Sequence, residues 1–153
     1  MRSRFALMSL AAAAIALPRA AAAQAPALQW GPAPPVFPAG ARMAVLQGNP
    51  GESGVYTVRL EMPNGYKIPA HWHPTDEHVT VISGTFLVGM GDTLDASKTT
   101  ALPAGGFITA PAHMNHYAIA RGRTVVQVHG MGPFQLTYVN PRDNPPAMSS
   151  AGH

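Results

Sequence analysis

The 153-residue sequence contains no cysteine, which excludes a disulfide framework, a thiolate zinc site, an iron–sulfur cluster and a cysteine nucleophile. Charge is scarce, at 11% of residues, and aromatic residues make up only 7%. No segment shows the 3.6-residue apolar period of a long helix. Internal repeats are also lacking, so the chain is read as one domain and not a tandem array. With thiols excluded, any chemistry must come from histidines, carboxylates and hydroxyls. What the chain has in quantity is turn formers, 15 Gly and 16 Pro, and 46% hydrophobic residues, which fits one small domain with many turns.

The formal charge of +3 and the pI near 9.7 suggest an anionic partner until the charges are located. Arg2, Arg4 and Arg19 flank an uncharged stretch from Phe5 to Leu17, which is followed by Pro18 and a run of small residues ending at Ala23. A basic start, a short apolar segment and small residues are the three parts of a secretory leader, with cleavage expected before Gln24. The apolar segment is shorter than the roughly 20 residues of a membrane span, so no stable membrane association is expected after cleavage. Removing those three arginines from ten basic residues leaves seven against seven acidic ones, a mature chain of zero formal net charge. Nucleic acid is thereby excluded as an expected partner, because backbone recognition depends on clustered Lys and Arg. The expected location is periplasmic or secreted.

Four segments follow: a leader over 1–23, a Pro-rich arm over 24–40, a β domain over 41–140 and a flexible tail over 141–153. Pro26, Pro32, Pro34, Pro35 and Pro38 favour an extended arm running along the surface. From Arg42 onward, short runs rich in Val, Ile, Thr, Tyr and Phe alternate with Gly, Pro, Asn and Asp, the pattern of an antiparallel sandwich or barrel. Strands are expected near Arg42–Gln47, Val55–Met62, Tyr66–Trp72, His78–Ser83, Thr85–Met90, Phe107–Thr109, His116–Ala120, Arg123–His129 and Phe134–Val139. Ser83-Gly84 reads as a hairpin turn, and Asp92–Thr100 as a surface loop with room for a helical turn.

The segment from Gly65 to Gly84 holds three metal-competent side chains within seven residues: His71, His73 and Glu77. Alternate residues of a strand share a face, so His71 and His73 point one way while Trp72 points the other and packs apolarly. Pro74-Thr75-Asp76 turns the chain, with Asp76 ordering the turn, and Glu77 can return a carboxylate to the same point. Neutral imidazole with carboxylate suits a divalent first-row ion. One further ligand is wanted.

Here the sequence resembles the cupins, whose first motif reads Gly-x5-His-x-His-x3-Glu-x6-Gly. Gly65, His71, His73, Glu77 and Gly84 fit every position of it. The second motif, Gly-x5-Pro-x-Gly-x2-His-x3-Asn, is met by Gly105, Pro111 and His116, with His113 in place of its glycine and Ala120 in place of its asparagine. The resemblance covers about Ala41 to Val139. It implies an all-β, double-stranded β-helix (a cupin or jelly-roll barrel) with an N-terminal arm, and a metal held by His71, His73, Glu77 and His116. In cupins such sites hold Fe, Mn, Ni, Zn or Cu. Four ligands leave about two positions of an octahedron for water, substrate or dioxygen.

Among the other histidines, His78 should face away from the metal by strand parity. His113 stands at a turn position that calls for positive φ, and at the pocket mouth it would be a candidate to move protons. His129 shares a strand face with Val125 and Gln127, and pointing inward it would contact a ligand or a metal-bound group. His113 and His129 are therefore the two catalytic candidates. Arg59 and Lys67 are candidates to receive an anionic substrate. Phe86, Phe107, Tyr117 and the methionines 62, 90, 114 and 131 are expected to fill the interior and rim, a lining suited to a small organic molecule of moderate polarity. The expected function is a metal-dependent oxidoreductase of the dioxygenase kind. The alternatives are a noncatalytic binding or sensing module, and an isomerase or decarboxylase using His113 or His129 as proton donor. An edge strand or the N-terminal arm would suit pairing into a homodimer.

Overall fold

The computed structural model describes residues 27–146; the expected leader and the last seven residues of the tail lie outside them. Nine strands follow in chain order: β1 (Gly31–Pro32), β2 (Arg42–Gln47), β3 (Gly54–Met62), β4 (Lys67–Trp72), β5 (Glu77–Met90), β6 (Thr100–Pro103), β7 (Phe107–Ala110), β8 (His116–Gly132) and β9 (Thr137–Tyr138). All pairings are antiparallel. Short 3₁₀ turns at Ala96–Lys98 and Pro141–Asp143 are the only helical elements among the described residues.

The sheet curls because its two longest strands change neighbours halfway. The later part of β8 pairs with β3, with β2 beyond it, while the early part of β5 pairs with β7. The early part of β8 pairs with β4, and the late part of β5 with β6. Because β5 and β8 pair with each other throughout, these halves form two facing layers, the double-stranded β-helix expected from the motifs. Between the layers lies the core. Tyr56, Val58, Leu60 and Met62 alternate inward along β3 and meet Ile68, Phe86, Val88 and Ala118 from the other layer. Burial of each large apolar side chain contributes roughly 1.5–3 kcal/mol over leaving it exposed.

The expected hairpin at Ser83-Gly84 is corrected: β5 runs unbroken from Glu77 to Met90 and bends there without reversing. The same holds for β8, where His116–Ala120 and Arg123–His129 are parts of one strand bent at Gly122. Both glycines have positive φ, +77° and +73°, and the β5–β8 register shifts across them. Gly84 also faces a tight approach, since a Cβ there would lie 2.6 Å from the Arg123 carbonyl oxygen. Thr124 seals the corner, fully buried, with Oγ1 donating to the Thr85 carbonyl at 3.1 Å.

Three smaller expectations change. The Asp92–Thr100 loop has its helical turn but leads into β6, which the sequence reading omitted. The strand expected over Phe134–Val139 shrinks to Thr137–Tyr138, because Phe134 turns inward from a loop. The N-terminal arm does more than run along the surface. Residues 33–41 form a strap whose Phe37 is buried in the core, anchored by the Tyr138 and Tyr66 hydroxyls donating to the carbonyls of Val36 and Pro38.

Candidate metal centre

The centre is built where β4 meets β8. Pro69 has no N–H to give to the ladder, so pairing skips from Ile68–Ala118 to His71–His116 through a bulge. That slip lets Ile68 and His71, three residues apart, both face inward. The Pro69 carbonyl accepts from His71 Nδ1 at 2.6 Å. His73 follows just beyond β4, and its Nδ1 donates to the Gln135 carbonyl at 2.6 Å. His116, at the start of β8, donates Nδ1 to the Met114 carbonyl at 3.0 Å. A carbonyl oxygen can only accept, so each Nδ1 carries a hydrogen, and in the neutral ring Nε2 then keeps the lone pair.

Those lone pairs converge. The three histidines are buried, and one ligand nitrogen from each lies within 4.8 Å of the others. His73 Nε2 and His116 Nε2 are fully buried with no hydrogen-bond partner, an arrangement that loses solvation unless something electrophilic sits between them. Glu77, at the head of β5, brings Oε2 to 3.6 Å from His73 Nε2 and 3.8 Å from His116 Nε2. Burial, and then the neighbouring histidines, hold His71 well below the usual imidazole range. Burial lowers His116 as well. Three imidazoles in this tautomer and one carboxylate fit a divalent first-row ion, as the sequence spacing suggested.

Beside this cluster lies a cavity with about 40 Å³ of free volume, walled by apolar side chains that include Phe37, Leu60, Ile108, Val128 and Phe134. Phe134 links the strap to the site: its ring stacks on Phe37 at 5.8 Å and lies 5.3 Å from the His73 ring. Tyr56 also lines the cavity. Burial pushes its phenol well above the ordinary range and the charge of Glu77 adds to the effect, so it stays a neutral hydrogen-bond donor.

The model of the ChrR cupin-like domain family matches residues 18–135. The chain belongs to this cupin family. A comparison with curated proteins finds no match. Among solved structures, the cupin is similar to a protein of Methylibium petroleiphilum provisionally assigned as an acetylacetone dioxygenase, with a TM-score of 0.60 and 24% identity over 78% of this chain and 81% of that one. The polyketide cyclase RemF of Streptomyces resistomycificus gives a TM-score of 0.57 with 17% identity, covering 69% and 75% of the two chains. An RmlC-like cupin of Shewanella frigidimarina gives 0.54 and 17%, covering 68% and 83%. These likenesses describe the fold.

In this cupin His71, His73 and His116 cluster, with Glu77 beside two of them, but neither catalytic candidate reaches the cavity. His113 has the expected positive φ, +61°. Its exposed ring lies 5.2 Å from Trp72, on the side of β4 away from the ligands. Its backbone is what serves the site, since the His113 N–H donates to the His73 carbonyl at 2.8 Å. Asp76 holds the same loop by accepting from the Ala112 N–H at 2.8 Å. His129 is corrected for a reason of parity: Thr124, Val126 and Val128 face inward along β8, which leaves Val125, Gln127 and His129 outside. There His129 stacks on His78 at 5.0 Å.

Arg59 and Lys67 do not reach the cavity either. Arg59 donates to Gln127 on the outer face at 3.3 Å, and Lys67 is exposed. Of the expected interior residues, Met62, Phe86 and Tyr117 are buried, while Phe107, Met90, Met114 and Met131 are exposed. Sequence reading missed Phe37, Tyr56 and Phe134. Tyr56 had a signal, the apolar alternation of β3, but Phe37 sat in a Pro-rich stretch with no period to place it.

Proposed function

We propose that His71, His73, Glu77 and His116 hold one divalent transition metal and that this cupin is an exported oxidoreductase of the dioxygenase kind, acting on a small organic molecule. The observation that carries the metal is the set of three inward-facing Nε2 lone pairs, each fixed by an Nδ1–H bond to a backbone carbonyl. A metal bound there with free positions supplies Lewis acidity and, where redox-active, electrons for dioxygen chemistry.

The chain's own residues then do the rest. Backbone carbonyls fix the imidazole tautomers and orientations. Glu77 contributes the one negative charge of the ligand set. Phe37 and Phe134 line the cavity and exclude water from it, and Tyr56 in the same lining offers a neutral hydroxyl donor. The oxidative reading draws support from the fold likeness to the Methylibium protein, and from the supply of ligands without a full coordination sphere. A noncatalytic binding module is the second reading. It draws support from the lining of the cavity, where Tyr56, Glu77 and the three ligand histidines are the titratable groups among the described residues.

Reconstitution decides between them. Protein stripped of metal and reloaded separately with Fe(II), Mn(II), Ni(II), Cu(II) and Zn(II) should consume dioxygen with at least one redox-active ion when offered a panel of small enols, diketones and catechols. Metal uptake without turnover on any of these would favour the binding module. The leader makes a separate claim: the exported protein should have the mass of a chain beginning at Gln24, and a mass that includes Met1–Ala23 would contradict it.

A further inference from the structure

The free volume beside the histidines, about 40 Å³, is far below the roughly 300–1,000 Å³ of small-molecule sites. An ion fits there, but an ion and an organic molecule together do not. A reaction on such a molecule therefore needs a wall that moves. Among the described residues of the lining, only Phe37, Pro50, His73, Phe134 and Leu136 lie outside the strands; the others are held by the ladder.

Phe37 is buried, whereas Phe134 is half-buried and flanked by exposed Pro133 and Gln135. Its ring covers the Phe37 ring at 5.8 Å and the His73 ring at 5.3 Å, so Phe134 stands between solvent and both. Two hydrogen bonds tie residues 133–135 to their neighbours among the described residues. The Phe134 N–H donates to the Pro50 carbonyl at 2.6 Å, and the Gln135 carbonyl accepts from His73 Nδ1 at 2.6 Å. One of the two bonds that close this loop is thus the bond that orients His73, which stands one residue beyond β4.

We infer that residues 133–135 form a gate over the metal centre, with Phe134 as the plug and the Gln135 carbonyl as a latch that couples opening of the gate to the grip of His73. This inference rests on the reading of His73 as a metal ligand. The coupling is reciprocal. With Nε2 on a cation, the His73 ring donates more strongly from Nδ1, so loading holds the gate shut. Opening the gate frees the ring to turn and loosens one ligand, while the cavity gains room for a substrate.

Hydrogen exchange of the full chain, read by mass spectrometry on the peptide that holds residues 133–135, tests the latch. Zinc should slow exchange there about tenfold, the worth of one hydrogen bond from a polarised donor, and leave the exposed turn at Ala96–Lys98 unchanged. Two metal-free variants separate the latch from the ion. His73→Ala removes the donor and should speed exchange at 133–135 about fivefold, whereas His116→Ala keeps the His73–Gln135 bond and should match the metal-free wild type. Phe134→Ala removes the plug and keeps the latch, so zinc loading and zinc release to a chelator should both accelerate about tenfold, with the affinity within about twofold. Phe134→Leu should give a smaller step in the same direction if the alanine variant fails to fold. Exchange at 133–135 that ignores zinc, equal exchange in the His73 and His116 variants, or unchanged zinc kinetics in the Phe134 variants would each overturn the gate alone. Protein that takes up no zinc would overturn it together with the metal centre.

Discussion

A buried imidazole whose Nδ1 hydrogen is committed to a backbone carbonyl has its Nε2 lone pair as its remaining polar resource, and at His73 and His116 that nitrogen has no protein partner. Losing either ring removes a proposed ligand that one backbone carbonyl has already oriented. His73→Ala and His116→Ala should each weaken zinc binding by about 100-fold or more, beyond the 10- to 100-fold typical of losing an outer-shell contact. His78→Ala and His129→Ala should stay within about twofold, because both rings lie stacked on the outer face. Competition with a chromogenic chelator measures all four, and equal losses at His78 and His116 would refute the assignment of faces. The meeting of His71, His73 and Glu77 was legible because His-x-His-x3-Glu fixes parity and turn length over seven residues. His129 was legible too, since the alternation sets apolar Val126 and Val128 against polar Gln127 and His129, and it is the apolar pair that faces inward.

Elements carry information that residues alone do not. The sequence Ser83-Gly84 between two apolar runs looks the same whether the chain reverses or bends, and only the partner strand decides; here β8 runs alongside both halves of β5. The bends at Gly84 and Gly122 wrap a flat ladder into two layers and bring His116 over His71. Their tolerance should differ. At Gly84 an added Cβ meets the Arg123 carbonyl oxygen at 2.6 Å and the Thr124 Cα at 2.8 Å, whereas at Gly122 nothing lies within 4 Å. Gly84→Ala should therefore destabilise the fold by about 3 kcal/mol, combining left-handed backbone strain with overpacking. Gly122→Ala should lose about 1–2 kcal/mol from backbone strain alone. Urea unfolding of the two variants gives the comparison, and equal losses would mean that the corner is not packed as described. The Pro69 bulge was also invisible in the sequence, although the proline that forces it was in plain view.

At the scale of the whole molecule, the histidines couple the site to the stability of the barrel. Burial lowers His71 and His116 below the ordinary value of 6.5, so below that pH the unfolded chain binds protons that the folded one refuses. The metal-free protein should hold its full stability from this source above about pH 6.5 and lose it progressively on acidification. Thermal melts at a series of pH values check the direction, and a melting temperature that rises on acidification from pH 7 to 5 would contradict it. A metal that binds only the assembled site acts in the opposite sense, adding about 2.7 kcal/mol at a free concentration 100 times its dissociation constant. The most direct measurement is elemental analysis of the purified protein alongside melting curves with and without chelator. One equivalent of a first-row transition metal per chain, and a melting temperature that falls by several degrees on chelation and recovers on adding the ion back, is the predicted result. Substoichiometric metal, with melting curves that neither chelator nor any of the five ions can move, would contradict the metal centre.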